Sequence, residues 1–124
     1  MPRILLIDDE ELLTRSFSLL LEKSGYEVYV AKSGSDALAM AESERFDLVI
    51  CDIRMPRLNG VETIKAIRAD SGKNSSKNVP VIFITGFADE KTEIEASELK
   101  PSAYLYKPFD NFELLKIVKD NLAI

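Results

Sequence analysis

Histidine is absent from this sequence, and its absence excludes several kinds of chemistry. Ser-His-Asp and Cys-His catalytic groups cannot be assembled, histidine-ligated metal sites are ruled out, and the chain cannot itself carry a phosphohistidine. Any chemistry here must therefore use carboxylates, hydroxyls, lysine, arginine and the backbone.

Cysteine and long apolar runs are also scarce. The single cysteine, Cys51, cannot form an internal disulfide, which is typical of a reducing cytoplasm, and its apolar neighbours predict a small buried residue. No apolar run has the length of a membrane span. The first residues lead directly into a strand-like segment, so we expect no signal peptide. We predict a cytoplasmic protein that does not associate with membranes.

Basic residues are outnumbered by acidic ones, with 16 Lys and Arg against 21 Asp and Glu and a net charge of -5. The basic residues are scattered, so no positive patch attracts nucleic acid, and we expect no direct nucleic-acid binding. The chain has 124 residues, of which 46% are hydrophobic and 30% charged. This size and composition predict one globular domain over residues 1–124.

Short apolar runs alternate with helical patterns five times along the chain. The runs are uncharged, as expected of parallel strands that are covered on both faces. The predicted strands cover residues 4–7, 26–31, 48–51, 81–84 and 103–106, and the predicted helices cover 11–24, 33–43, about 60–69, 88–99 and 110 onwards. The pattern predicts a flavodoxin-like (βα)5 doubly wound α/β domain with the parallel strand order 2-1-3-4-5.

Polar side chains follow the strands at the edge where such a sheet places its functional crevice. Asp8 and Asp9 follow the first strand, Asp52 the third, Thr85 the fourth and Lys107 the fifth. Three clustered carboxylates repel one another unless a cation joins them, and oxygen ligands of this kind suit Mg²⁺. We therefore predict that Asp52 is a nucleophile able to form an aspartyl phosphate, with Lys107 and Thr85 contacting the phosphoryl group.

Each of these residues also has an ordinary structural explanation when it is considered alone. Acids at the start of a helix favour its positive end, Thr85 is a common type of strand residue, and Lys107 could be a solvated charge before a turn. These explanations fail together, because all the residues fall on one predicted edge of the sheet.

The combined pattern resembles the signature of the response-regulator receiver family over essentially the whole chain. The matching motifs are Asp8-Asp9, the stretch Cys-Asp-Ile-Arg-Met-Pro-Arg-Leu-Asn-Gly at 51–60, Thr85-Gly86 and Lys107-Pro108-Phe109.

The resemblance implies a role for each matching position. Asp8 and Asp9 would form the acidic pair of an Mg²⁺ site, with Asp9, Asp52 and the backbone carbonyl of Arg54 as direct ligands. Asp52 would be phosphorylated.

The resemblance also implies how the phosphoryl group is sensed. Thr85 and Lys107 would bind its oxygens, Tyr104 would be a rotating aromatic switch, and the Lys107–Pro108 peptide bond would be cis. Such a domain catalyses its own Mg²⁺-dependent phosphorylation and dephosphorylation, but it acts mainly as a switch that changes shape at its fourth helix, fifth strand and fifth helix.

The implied partners are a sensor histidine kinase or phosphotransfer protein as donor, and an output domain or downstream protein as receiver of the signal. A phosphorylation-dependent dimer is also a possibility. The sequence does not choose between a stand-alone receiver and one domain of a longer protein.

Two side chains predict how long the signal lasts. In the family, the positions two residues past the phosphoacceptor and two past the threonine border the path of the attacking water, and here they are Arg54 and Phe87. Neither can orient a water as a carboxylate or amide does, so we predict slow self-dephosphorylation; the alternative is that both side chains point to solvent. A second departure, Lys100-Pro101-Ser102 in place of a Gly-rich turn, could change the coupling around Tyr104.

Three rival functions fit less well. A flavodoxin needs a phosphate cradle after the first strand, where the acids here would repel a flavin phosphate. An aspartyl phosphatase needs a second acid two residues after its nucleophile, where this chain has Arg54. A degenerate receiver acting only as a binding module is disfavoured by the intact set of acids, Thr85 and Lys107.

Overall fold

The computed structural model describes residues 1–55, 59–69, 78–86 and 89–122. Within these residues, strands and helices alternate as predicted. The strands are β1 (Arg3–Ile7), β2 (Glu27–Ala31), β3 (Leu48–Asp52), β4 (Val81–Thr85) and β5 (Ala103–Tyr106). The helices are α1 (Glu11–Lys23), α2 (Gly34–Ser43), α3 (Gly60–Ala69), α4 (Glu90–Glu98) and α5 (Asn111–Leu122). Most of the predicted surface loop at 70–78 lies outside the described residues.

The strands form one parallel sheet in the order β2-β1-β3-β4-β5, which confirms the predicted topology. The register aligns the carboxyl ends of the central strands: Ile7 pairs with Cys51, and Thr85 pairs with Tyr106. Residues that follow these pairs therefore lie side by side at one edge of the sheet.

Alternate side chains of the strands enter two separate cores, one on each face of the sheet. One core packs against α2, α3 and α4, and the other packs against α1 and α5. Both cores are built mainly from fully buried aliphatic residues. Burial of each large aliphatic side chain contributes about 1.5–3 kcal/mol to the stability of the fold. The scaffold that carries the sheet edge is thus held from both sides.

Two helices begin with side-chain caps. Ser33 accepts a hydrogen bond from the backbone N–H of Asp36 at 3.1 Å, and Asp110 accepts one from Glu113 at 2.9 Å. Such caps satisfy backbone donors that a helix start leaves without partners. α5 follows directly and buries Leu114 and Val118 against the sheet.

The fourth helix is shorter than predicted and weakly anchored. It begins at Glu90 rather than at 88, because the side chain of Asp89 accepts a hydrogen bond from Thr92 N–H at 2.7 Å and caps the helix there. Only Ala96 of α4 is buried. After the helix, Lys100 takes a positive φ of 52°, the left-handed turn that glycine usually makes.

None of the helices in the described ranges is long and apolar enough to cross a bilayer.

Candidate functional site

A cleft of about 390 Å³ opens at the carboxyl edge of the sheet. It brings together most of the residues that the sequence predicts for the site. The described residues that line it are Asp9, Glu10, Asp52, Arg54, Gly86 and Lys107.

Asp8 lies at this edge and is fully buried. One carboxylate oxygen, Oδ1, accepts a hydrogen bond from the backbone N–H of Glu10 at 2.9 Å. The other, Oδ2, has no hydrogen-bond partner among the described residues. Burial raises the pKa of Asp8 to about 6, and the nearby charge of Asp52 adds to the effect. A buried, unpartnered carboxylate oxygen is costly, and a cation would offset that cost.

Asp52 is the last residue of β3 rather than the first residue after it, and only 4% of its surface is exposed. Its Oδ1 accepts a hydrogen bond from the backbone N–H of Arg54 at 3.1 Å, and its Oδ2 lies 3.7 Å from Lys107 Nζ. Burial raises the pKa of this carboxyl, although the Lys107 charge opposes the rise. The predicted nucleophile is therefore buried, hydrogen-bonded to the backbone and next to a cation.

Lys107 follows β5, and its peptide bond to Pro108 is cis, as predicted. Its Nζ contacts two carboxylates, Glu10 at 3.1 Å and Asp52 at 3.7 Å. Burial alone would lower the pKa of Lys107, but the charge of Asp52 and the hydrogen bond to Glu10 outweigh it and raise the pKa. The ammonium group is thus charged and shared between two acids.

Two glycines make room around these side chains. A Cβ on Gly60 would lie 2.2 Å from the backbone oxygen of Asp52, so only glycine lets α3 start this close to the end of β3. A Cβ on Gly86 would lie 3.3 Å from the side chain of Lys107. Gly86 therefore leaves space for the lysine to reach the cleft.

The acids that converge most closely include one that the sequence prediction missed. Ligand oxygens of Asp8, Glu10 and Asp52 lie within 4.8 Å of one another. Asp9 is exposed and lines the cleft, so its role as a ligand stays a prediction. The run of four acids at 8–11 signals that a further carboxylate could join the site, but it does not indicate which one turns inward.

Thr85 and Tyr104 border a second cavity, behind the first. Thr85 ends β4 and is 3% exposed, and its Oγ1 has no hydrogen-bond partner within the described part of the chain. The ring of Tyr104 stacks against those of Phe83 and Tyr106, each at 6.2 Å between centroids. The cavity has a volume of about 210 Å³ and is lined by Ile53, Thr85, Glu93, Tyr104 and Tyr106.

Two residues were predicted to border the path of the attacking water, Arg54 and Phe87. The structure describes the first of them and not the second. Arg54 is exposed and lines the cleft. Phe87 lies outside the described residues.

Comparison with known proteins places this geometry in a family. The family model of the response regulator receiver domain matches residues 4–119. The transcriptional regulatory protein CrdR of Helicobacter pylori is 39% identical over 117 residues, which are 94% of this chain and 53% of the relative. This chain thus spans about half the length of that curated relative.

Solved structures are similar over nearly the whole chain. The chemotaxis protein CheY4 of Vibrio cholerae superposes with a TM-score of 0.87 at 32% identity, covering 97% of this chain and 98% of that one. A second similar structure is the receiver domain of the sensor histidine kinase PA1611 of Pseudomonas aeruginosa PAO1, solved with a magnesium ion in its active site cleft. It has a TM-score of 0.85 at 29% identity, and the superposition covers 99% of this chain and 98% of that one. The chain belongs to the response-regulator receiver family, the phosphorylation-dependent switch domains of two-component systems.

Proposed function

We propose that Asp52 accepts a phosphoryl group from the phosphohistidine of a histidine kinase or phosphotransfer protein. A bond forms between an Asp52 carboxylate oxygen and phosphorus as the N–P bond breaks, and the leaving imidazole keeps the electron pair and takes up a proton. The observation that carries this proposal is the buried Asp52 carboxylate, held 3.7 Å from the Lys107 ammonium group at the open edge of the sheet. Positioning and charge neutralisation supply most of the catalysis in such a transfer.

The acids at this edge fit a magnesium ion. Asp8 supplies a buried carboxylate oxygen without a partner in the described ranges, and Asp9 and Asp52 supply further oxygens, as does the backbone carbonyl of Arg54. Hard oxygen donors of this kind are what Mg²⁺ prefers. When bound, the ion would neutralise the acids and the oxygens of the phosphoryl group.

Lys107 and Thr85 would bind the transferred group. The ammonium group of Lys107 already lies beside Asp52 and would pair with a phosphoryl oxygen. The buried Thr85 hydroxyl, which lacks a hydrogen-bond partner among the residues described, would donate to another oxygen.

We propose that this contact drives the switch. As Thr85 moves toward the phosphoryl group, Tyr104 would turn into the cavity of about 210 Å³ that both residues line. α4, with one buried residue, would shift with them, because a ligand that binds one of two states better shifts the population toward it. The altered face of α4, β5 and α5 would then act on an output domain or a downstream protein, or support a phosphorylation-dependent dimer.

We extend this proposal to the role of the whole protein. A transcriptional regulator about twice as long is among the relatives, which supports an output domain outside these residues. We infer that the receiver itself does not contact nucleic acid and acts in the cytoplasm.

Labelling with acetyl phosphate tests the phosphoacceptor. Wild-type protein should gain one phosphoryl group in the presence of Mg²⁺ and none in EDTA, as measured by intact mass. Asp52→Asn should remove the labelling, because the amide is not a nucleophile of this kind. Asp47→Asn is the matched control: this exposed acid accepts a hydrogen bond from the backbone of Arg3 at the opposite edge of the sheet. Labelling of Asp52→Asn at the wild-type level would refute the assignment.

A further inference from the structure

Glu10 holds the cation that the phosphoryl group needs. Its Oε1 lies 3.1 Å from Lys107 Nζ, whereas the nearest oxygen of Asp52 lies at 3.7 Å. The side chain of Lys107 is only 25% exposed, so most of its length packs against protein. In this state, Lys107 is bound more closely to Glu10 than to the phosphoacceptor.

The position of Glu10 at the rim of the cleft, where its side chain is 58% exposed, has a local cause. Its backbone N–H donates to Asp8 Oδ1 at 2.9 Å, which fixes the backbone beside the acid cluster. Glu10 occupies the cap position of α1, but its side chain makes no capping hydrogen bond with this helix, which is described in full. The side chain turns instead toward Lys107, within 4.8 Å of the carboxylates of Asp8 and Asp52.

Three like charges at this distance repel one another, and Lys107 contacts two of them. A phosphoryl group on Asp52 adds negative charge at the same place and needs the same ammonium group. Glu10 must then give up Lys107, and its own charge opposes the arriving anion.

We propose that Glu10 is an electrostatic gate on phosphorylation: it competes with the phosphoryl group for Lys107 and so slows phosphorylation by anionic donors. This inference rests on the proposed function of Asp52. Glu10 acts through Lys107, so it is a positioning residue and not a catalytic one.

The test compares Glu10→Gln with Glu11→Gln. The first substitution removes the charge that competes for Lys107. The second removes the same charge one residue later, where the carboxylate lies 3.5 Å from Lys32 Nζ and 3.8 Å from Arg15. At saturating Mg²⁺, the rate of labelling by acetyl phosphate should rise about two- to five-fold in Glu10→Gln, as expected for losing one partly exposed ion pair, and stay at the wild-type value in Glu11→Gln.

Three results would overturn the proposal. One is an unchanged or slower rate in Glu10→Gln. The second is a crystal structure of the Mg²⁺-bound protein in which a Glu10 carboxylate oxygen coordinates the ion directly, because this would make Glu10 a metal ligand. The third is an equal acceleration in Glu11→Gln, which would indicate a general charge effect.

A double-substitution cycle checks that Glu10 acts through Lys107. The affinity for beryllium fluoride, an analogue of the phosphoryl group, should increase on Glu10→Gln in the wild-type background and stay constant in a Lys107→Met background. An equal increase in both backgrounds would refute the competition. If the wild type is labelled and Asp52→Asn is not, a failure of these tests counts against the gate alone; labelling that survives Asp52→Asn counts against the proposed function.

Discussion

At the scale of single residues, the site is defined by charges that are costly to bury. Asp8 is fully inside the protein, with one oxygen unpartnered in the described part of the chain. Asp52 has a raised pKa for the same reason, burial. Groups with such perturbed pKa values are typical of functional sites, and here they coincide with the edge where the sheet presents its cleft.

The buried Asp8 predicts how stability depends on pH when no metal is present. Its folded-state pKa of about 6 lies above the ordinary value of 3.8, so the folded protein binds this proton more tightly than the unfolded chain. The contribution of the Asp8 proton to the stability of the fold is complete below about pH 4. This contribution is lost as the pH rises through about 6. In EDTA at pH 7.5, Asp8→Asn should therefore unfold at a higher urea concentration than the wild type. Its free energy of unfolding should be larger by about 1–3 kcal/mol.

Mg²⁺ should reverse the order of the two proteins, because it stabilises the wild type by binding and the variant has lost one of the carboxylates proposed to hold it. The difference in EDTA should shrink at pH 4, where Asp8 is protonated. A metal-free variant that is less stable than the wild type at pH 7.5 would show that Asp8 has a partner we have not identified.

Arg54 predicts the lifetime of the signal. It lines the cleft but carries no group that orients an attacking water as a base. We expect slow loss of the phosphoryl group from the wild type and a several-fold faster loss in Arg54→Asn, followed by intact mass after the donor is removed. Arg45→Asn, at an exposed arginine between α2 and β3, is the control. Equal lifetimes in wild type and Arg54→Asn would contradict the role of Arg54; Phe87→Gln tests its predicted companion in the same way.

At the scale of elements, α4 differs from the other helices. Of its residues only Ala96 is buried, and Ile94 is 52% exposed. Its carboxyl-terminal end is tied to α3, because the guanidinium group of Arg68 donates to the backbone oxygen of Leu99. The amino-terminal half has the cap at Asp89 and borders the cavity with Glu93. Weak burial of this kind marks an element that moves at low cost.

Thr85 connects the site to this element, and its replacement should separate phosphorylation from the shape change. Thr85→Ala should still be labelled by acetyl phosphate. However, labelling should no longer alter the hydrogen–deuterium exchange of α4 and β5, because the hydroxyl that follows the phosphoryl group is missing. Thr14→Ala removes another buried threonine, on α1, and should keep the wild-type exchange response. A full response in Thr85→Ala would show that the signal travels by another route.

At the scale of the whole molecule, the two cores differ in their position relative to the cleft and the second cavity. Among the described residues, the core against α1 and α5 contains none that lines the cleft or the second cavity. The core against α2, α3 and α4 includes Ile53, Phe83 and the ring of Tyr104, which lie at or beside the second cavity. A rearrangement around Thr85 can therefore be absorbed within the core against α2, α3 and α4.

Much of this architecture could be predicted because its signals are local. Uncharged apolar runs indicate buried parallel strands, and caps such as Ser33 and Asp110 lie within three residues of the groups they satisfy. The fourth helix was the least well predicted, because its apolar pattern is weak and its start depends on a single capping side chain, Asp89.

The sequence by itself determined the order of the elements and which residues follow each strand, since both depend on short patterns and on right-handed crossovers. This sufficed to place Asp8, Asp52, Thr85 and Lys107 at one edge. Only the tertiary structure decided that Glu10, and not Glu11, joins Asp8 and Asp9 at the site. That choice depends on a contact between Glu10 and Lys107, which are 97 positions apart, and the position of an ammonium group in a folded cleft is set by the packing around it and by no local pattern.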